Sequence, residues 1–343
     1  MTFTRRRFIA GIAAAFAYAA AGSAFAASQD VTIAVGGKAL YYYLPLSIAE
    51  YNGYFKDEGL NVRIVDFQGG SKSLQAVIGG SADICSGAFE HTIKMQLRGQ
   101  DMQAFVLQGR APQVVFAVSN KTMPDFRTIS DLKGKRIGVT APGSNSNVIA
   151  NFVLAHGGLK PSDVSFVGIG ASSQAVAAIR SGQVDAFANL DPVVRILEKG
   201  NLLKIVGDTR NVEESDKIFG GPMVAGCLYA KTAYIKSHPD VIQGLTNAIV
   251  RANEWLASAS AEDVVKVVPE SYFMNDVQTY KDCFLKNRPA LSRDGLFPEG
   301  APEISFKALQ SVDPKLQNAK PDLKAVYTNE YVKKALERYP TVK

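Results

Sequence analysis

The sequence predicts an α/β protein of two similar lobes, each a doubly wound sheet flanked by helices, joined by two crossing strands. Three observations carry that expectation. From residue 31 onward, short apolar runs alternate with helix-length stretches, the order that parallel βαβ units require. The same order recurs after residue 133. Val62, Ala76, Gly80 and Asp83 also find Val164, Ala178, Gly182 and Asp185 at one common offset of 102 residues, and self-similarity at a fixed offset marks a repeated architecture. At 343 residues the chain is long enough for two domains.

The chain opens with Arg5-Arg6-Arg7, an apolar stretch from Phe8 to Ala21, and small residues ending Ala24-Phe25-Ala26. That is the layout of a secretory signal peptide, with cleavage expected after Ala26. The apolar run falls short of the ~20 residues needed to cross a bilayer. Thr4 to Ile9 also fits a twin-arginine export pattern, so both that route and the general secretory route are open. No cysteine stands near the cleavage point to carry a lipid. The mature chain is therefore expected free in the periplasm.

The first strand spans Val31 to Val35, followed by a helix that opens near Pro45 and stops at Gly53. Val62 to Phe67 has the continuous apolar pattern of a buried strand, Leu74, Val77 and Ile78 mark a helix, and Ala82 to Cys85 a third strand. In the second half, Arg136 to Val139, Val164 to Val167 and Val184 to Ala188 are strands, with helices over Ser144 to Ala155 and Ser172 to Arg180. Gln113 to Asn120 and Gly226 to Ala230 are apolar runs placed to be paired crossing strands. Lobe 1 is then 27–112 with 227–343, and lobe 2 is 113–226, with hinges near Arg110 to Gln113 and Gly221 to Gly226. A helix from Ser237 to Leu256 shows one apolar face in Val241, Leu245, Ala248, Ala252 and Trp255 and is expected to pack, with the rest of the tail, on lobe 1.

Composition excludes several functions. Hydrophobic residues are 47% and charged residues 20%, and mean hydropathy is 0.00, values of a soluble globular chain. Setting aside the three leader arginines leaves 35 Lys and Arg against 32 Asp and Glu, spread along the chain, so no nucleic-acid partner is expected. Cys85, Cys227 and Cys283 form no CxxC, and His91, His156 and His238 stand alone, so neither a metal nor a disulfide framework is expected. No HExxH, GxSxG, P-loop or dinucleotide pattern occurs, so no cofactor and no catalytic set is expected either.

Strand, polar turn and helix start do recur. Thr140 to Asn147, with Gly143, Ser144 and Asn145 at its centre, follows one strand; Gly69-Gly70-Ser71 and Gly170-Ala171-Ser172 follow others. Each turn alone suits an ordinary N-cap, but together they lie at the carboxyl edge where open α/β sheets bind ligands, and helix N-termini there favour an anion. Tyr41, Tyr42 and Tyr43, then Phe89, Glu90 and His91, sit near the same edge. Arg110 is placed either to grip a carboxylate or sulfonate or to make an inter-lobe salt bridge.

At Leu44 to Glu50, Gly53 to Leu60, Asp131 to Val139, Gly182 to Ala186 and Asp191-Pro192, the chain resembles the periplasmic substrate-binding proteins of the nitrate, sulfonate and taurine ABC importers. The resemblance runs over nearly the whole mature chain. It implies the bilobed periplasmic binding protein fold (type II), acting as a monomer that closes on its ligand and delivers it to a membrane permease with a cytoplasmic ATPase. By matching position, it places the turn after Val139 and the segment Asn189 to Pro192, including Asp191, at the cleft from lobe 2, and Tyr41, Tyr42, Ser71 and Phe89 from lobe 1. The three tyrosines and Glu90-His91 match no nitrate or sulfonate feature. The expected ligand is a small organic anion, a sulfonate, taurine-like compound or aromatic carboxylate. Alternatives are a pyrimidine-type vitamin precursor, an enzyme on the same fold, or a binding protein that feeds a sensor.

Overall fold

The computed structural model describes residues 28–340, so the leader segment 1–26 lies outside the described residues. Ten strands are present: β1 Gln29–Val35, β2 Leu60–Asp66, β3 Ile84–Ala88, β4 Met102–Leu107, β5 Val115–Ser119, β6 Arg136–Val139, β7 Ser165–Gly168, β8 Ala186–Asn189, β9 Leu203–Asp208 and β10 Gly226–Lys231. They form two five-stranded sheets, ordered β2-β1-β3-β10-β4 and β7-β6-β8-β5-β9. Element for element the two orders are the same. In each, three strands run parallel and a fourth lies antiparallel between the third and the last.

The crossing runs are strands, but they do not pair with each other. β5 leaves the first lobe and inserts between β8 and β9; β10 returns and inserts between β3 and β4. Each thereby finds a partner on both edges. Mutual pairing would have left a gap in both sheets and exposed rows of backbone donors and acceptors.

The residues matched at the 102-residue offset hold equivalent positions. Asp83 Oδ2 accepts from the Thr32 backbone N–H at 2.8 Å, and Asp185 Oδ2 accepts from the Arg136 backbone N–H at 2.9 Å. Each carboxylate thus ties the approach to its own strand onto the neighbouring strand. Asp185 additionally receives Arg136 Nε at 3.1 Å and Nη2 at 2.9 Å. Burial works to raise its pKa, and the Arg136 bonds overcome that and hold it below the usual carboxylate value.

Several boundaries differ from expectation for local reasons. β2 is half exposed rather than fully buried, because it is a sheet edge. Ser237 closes the helix Thr232–Ser237, its hydroxyl bonding back to the Ala233 and Tyr234 carbonyls, so the long helix Pro239–Ser258 starts from His238 instead. Its expected apolar face is buried at Val241, Leu245, Ala248 and Ala252. The tail does not rest on lobe 1 alone: helix Val277–Asn287 also meets helix Val193–Lys199, and helix Ala301–Val312 meets helix Asn145–His156. All three cysteines are unpaired and buried.

Asp185→Ala removes a partly buried acceptor from three donors and is expected to cost about 1–3 kcal/mol. Urea denaturation measures it, and an unchanged midpoint would show that water replaces the carboxylate freely.

Candidate functional site

The carboxyl ends of β1, β3, β6 and β8 face each other across the gap between the sheets, and the turns that follow them build the site. After β1, Tyr41–Tyr43 form a short 3-10 helix with all three rings buried. After β6, the chain folds onto itself through hydroxyls: Thr140 Oγ1 lies 2.9 Å from Ser144 Oγ and 3.0 Å from Ser146 Oγ, and Ser144 Oγ donates to the Ala141 carbonyl at 2.6 Å. Gly143, at φ +84°, permits the turn, and its N–H donates to Asn147 Oδ1 at 2.8 Å. Helix Asn145–His156 starts there with Ser144 as N-cap.

Between these turns lies a cavity of about 20 Å³, lined by Tyr42, Tyr43, His91, Thr140, Ser144, Asn145 and Ser146 with Leu40, Leu190 and small residues. That is room for about one water. No arginine or lysine is among its lining residues. Glu90 backs it, fully buried, with Oε1 accepting from Asn145 Nδ2 of the opposite lobe at 2.9 Å and Oε2 without a partner. Burial raises the Glu90 pKa, opposed by the charge of Lys94 and the Asn145 bond.

His91 Nδ1 pairs with the Tyr229 hydroxyl at 2.9 Å, leaving Nε2 buried and without a hydrogen bond. Burial first, and then the Lys94 charge, push its pKa down to about 3, so its ring is neutral at physiological pH. The Tyr42 hydroxyl is also buried without a partner, and burial raises its pKa well above normal. Unpartnered buried polar atoms are costly. Four belong to residues of this region: Tyr42 Oη, Glu90 Oε2, His91 Nε2 and Asn145 Oδ1.

Of the sequence candidates, Tyr42, Ser144 and Asn145 line this cavity, and Glu90 joins it through Asn145. Ser71 donates to the Pro142 carbonyl at 2.9 Å, and Lys94 Nζ donates to the Gly143 carbonyl at 3.1 Å, so Ser71 and Gly143 act as contacts between the lobes. Tyr41 turns away: its hydroxyl donates to the Tyr280 carbonyl, and its N–H to the Asp191 carbonyl at 3.3 Å. Phe89 packs in the core against Phe297, with ring centroids 5.3 Å apart. Ser172 is exposed and caps its helix by accepting from the Gln174 N–H. Asn189 is buried and satisfied, donating to the Gly170 carbonyl at 3.0 Å. Arg110 is exposed, away from the cavity, and its N–H donates to the Ala290 carbonyl at 2.7 Å.

The arginine that matters to this region is Arg210, which pattern reasoning passed over. It is 1% exposed and lies among three carboxylates: Nη1 is 3.3 Å from Asp191, and Nη2 is 3.0 Å from Glu198 and 2.6 Å from Asp208. Burial opposes its charge, and the Asp208 bond and Asp191 charge more than restore it. Asp191 is fully buried and also accepts from Asn287 Nδ2 at 2.7 Å. It serves as the core of an ion cluster in which the tail touches lobe 2.

The lobes are in close contact. A Cβ on Gly69 would stand 2.8 Å from Ala141 Cβ of the other lobe, and one on Gly37 2.8 Å from Ala171 Cβ. Gly69 has extended backbone, so space and not conformation demands glycine there. Among the described residues, no group of His, Cys, Asp and Glu is placed to hold a metal, and no helix is long and apolar enough to cross a membrane.

Comparison with known proteins gives the same architecture. A family model described as NMT1/THI5 like matches residues 41–262, well over half of the chain. The protein YtlA of Bacillus subtilis (strain 168) is 25% identical over 67% of this chain and 67% of its own length. The 4-amino-5-hydroxymethyl-2-methylpyrimidine phosphate synthase THI13 of Saccharomyces cerevisiae is 22% identical over 89% of this chain and 88% of its own. Among solved structures, a Bordetella bronchiseptica RB50 protein is 53% identical with a TM-score of 0.90, covering 91% of this chain and 98% of that one. The alkanesulfonate-binding protein SsuA from Xanthomonas axonopodis pv. citri, bound to MOPS, is 18% identical with a TM-score of 0.70, covering 88% and 99%. The fold is the bilobed one of periplasmic binding proteins.

Two outcomes are expected. Arg210→Met strands the buried Asp191 carboxylate and should cost about 3–5 kcal/mol, read from the urea midpoint; a loss under about 1 kcal/mol would mean that the cluster relaxes around its absence. Gly69→Ala should hold the lobes apart and enlarge the radius of gyration in small-angle scattering, whereas an unchanged radius would show that the Ala141 turn yields.

Proposed function

The chain belongs to the NMT1/THI5-like family, and from that premise we propose that it is the periplasmic solute-binding component of an ABC importer, with a neutral or protonated nitrogen heterocycle of the aminopyrimidine kind as its ligand. Lobe 1 in this reading is 27–112 with 227–343, and lobe 2 is 113–226; the protein works as a monomer on its permease and ATPase.

One observation carries the choice of ligand. Glu90 is a buried carboxyl facing the opposite lobe with one oxygen unspent, and no cationic side chain is among the cavity's lining residues. A sulfonate or carboxylate would be stripped of water there beside the Glu90 carboxyl, with no cation in the lining and only the Lys94 charge nearby, which already acts on Glu90. An aminopyrimidine edge suits the carboxyl in either protonation state: its amino group donates to an ionised oxygen, and its ring nitrogen accepts from a protonated one. Tyr42 and Tyr43 offer flat aromatic surface, and the neutral His91 lines the same cavity. The names of relatives such as THI13 favour the pyrimidine side, and the likeness to SsuA favours the importer. An export leader favours binding over the synthase activity in those relatives' names.

The cavity is too small for such a ring, so the lobes must part to admit one. Calorimetric titration of 4-amino-5-hydroxymethyl-2-methylpyrimidine is expected to show binding, weakened tenfold or more by Glu90→Leu, which can neither accept nor donate a hydrogen bond. Tighter binding of taurine or another sulfonate would return the site to the anion reading.

A further inference from the structure

Behind the Lys94–Gly143 contact, helix Glu90–Gln96, helix Asn145–His156 and the end of helix Ala301–Val312 enclose a second groove, of about 550 Å³. Its walls are aliphatic, contributed by Leu97, Val148, Leu309 and Val312. Its polar lining includes Lys94, Arg98 and Lys315 against one carboxylate, Asp313. Among the described residues none of the three cations makes an ion pair, while Lys94 Nζ is held over the groove by the Gly143 carbonyl at 3.1 Å. Two amides in the same wall have unspent capacity: Asn147 gives Oδ1 to the Gly143 N–H but leaves Nδ2 buried without an acceptor, and Asn151 Oδ1 is buried without a donor.

We propose that this groove binds an amphipathic organic anion, a compact aliphatic or aromatic body ending in a carboxylate, sulfonate or phosphate. The body buries the aliphatic wall, and the acid group receives Arg98 and Lys315. The two cavities then have opposite preferences, a carboxyl without cations in the cleft and three cations with one carboxylate outside it. Because both lobes and the tail contribute to the groove, its occupant binds the closed arrangement better than an open one and favours closure.

The test is calorimetry on the mature chain with 2-naphthoate, which joins an apolar body to one charge, and with 2-naphthol, the same body without it. Naphthoate is expected to bind, to weaken as salt is raised, and to bind at least tenfold more weakly to the Arg98→Glu/Lys315→Glu variant, whose two changes are at exposed positions. Absence of binding at millimolar naphthoate, equal affinity for naphthol, or an undiminished affinity in the double variant would each overturn the proposal.

Discussion

The antiparallel slot beside β3, and its twin beside β8, constrain the rest of the molecule. Each is filled by a strand arriving from the opposite lobe, so the chain crosses twice. That fixes the crossings between β4 and β5 and between the end of lobe 2 and β10. It also turns the carboxyl ends of both parallel sets toward one another, which is why the turns after β1, β3, β6 and β8 meet. The site follows from the topology of backbone pairing before any side chain is considered.

Side chains then decide what the meeting place can recognise. Closure buries a carboxyl, an imidazole and a phenol whose remaining polar atoms find no partner. Such groups are tolerated because the surrounding structure holds them: Asn145 grips Glu90 from the other lobe, and Tyr229 holds the far side of His91. An occupant that satisfies them recovers hydrogen bonds already desolvated, so selectivity comes from pattern more than from area. Cationic charge, meanwhile, is spent elsewhere, on the Arg210 cluster within and on the Lys94 groove outside.

Much of the architecture was legible because it is written in local signals. Gly53, at positive φ, follows the helix that it was expected to stop, and Ser172 caps the helix it was expected to open. The paired aspartates Asp83 and Asp185 were visible as a repeat, although their shared bond to the neighbouring strand was not. β4 and β9 escaped notice, although the left-handed turn at Gly99 precedes Met102–Leu107; Leu203–Asp208 is partly exposed. Among the candidate residues the limit was tertiary. Arg110 and Arg210 both lie near lobe junctions, and only the approach of Asp191, Asp208 and Glu198 makes one a buried hub while the other stays in water. Phe89 and Asn189 had positions at the right sheet edge, but their side chains point into packing that strand periodicity alone does not resolve.

How firmly the lobes hold one another follows from where their contacts lie. Arg195–Asp282 and Lys199–Asp276 join helix Val193–Lys199 to the tail, but with side chains 35–42% exposed each contributes about 0–1 kcal/mol. The Glu90–Asn145 bond is buried yet leaves unsatisfied atoms on both partners, so its gain is offset by what closure desolvates. The Ala141 and Ala171 turns contribute close packing against Gly69 and Gly37, which rewards fit without adding charge. Beside the buried Asn287–Asp191 bond of 2.7 Å, the closed arrangement is held by several small terms. A ligand of micromolar affinity brings roughly −8 kcal/mol, ample to shift such an equilibrium, provided that it binds the closed state preferentially. A cleft that closed on stronger bonds of its own would hold its lobes together whether or not a ligand lay between them, and occupancy could not then be read from shape.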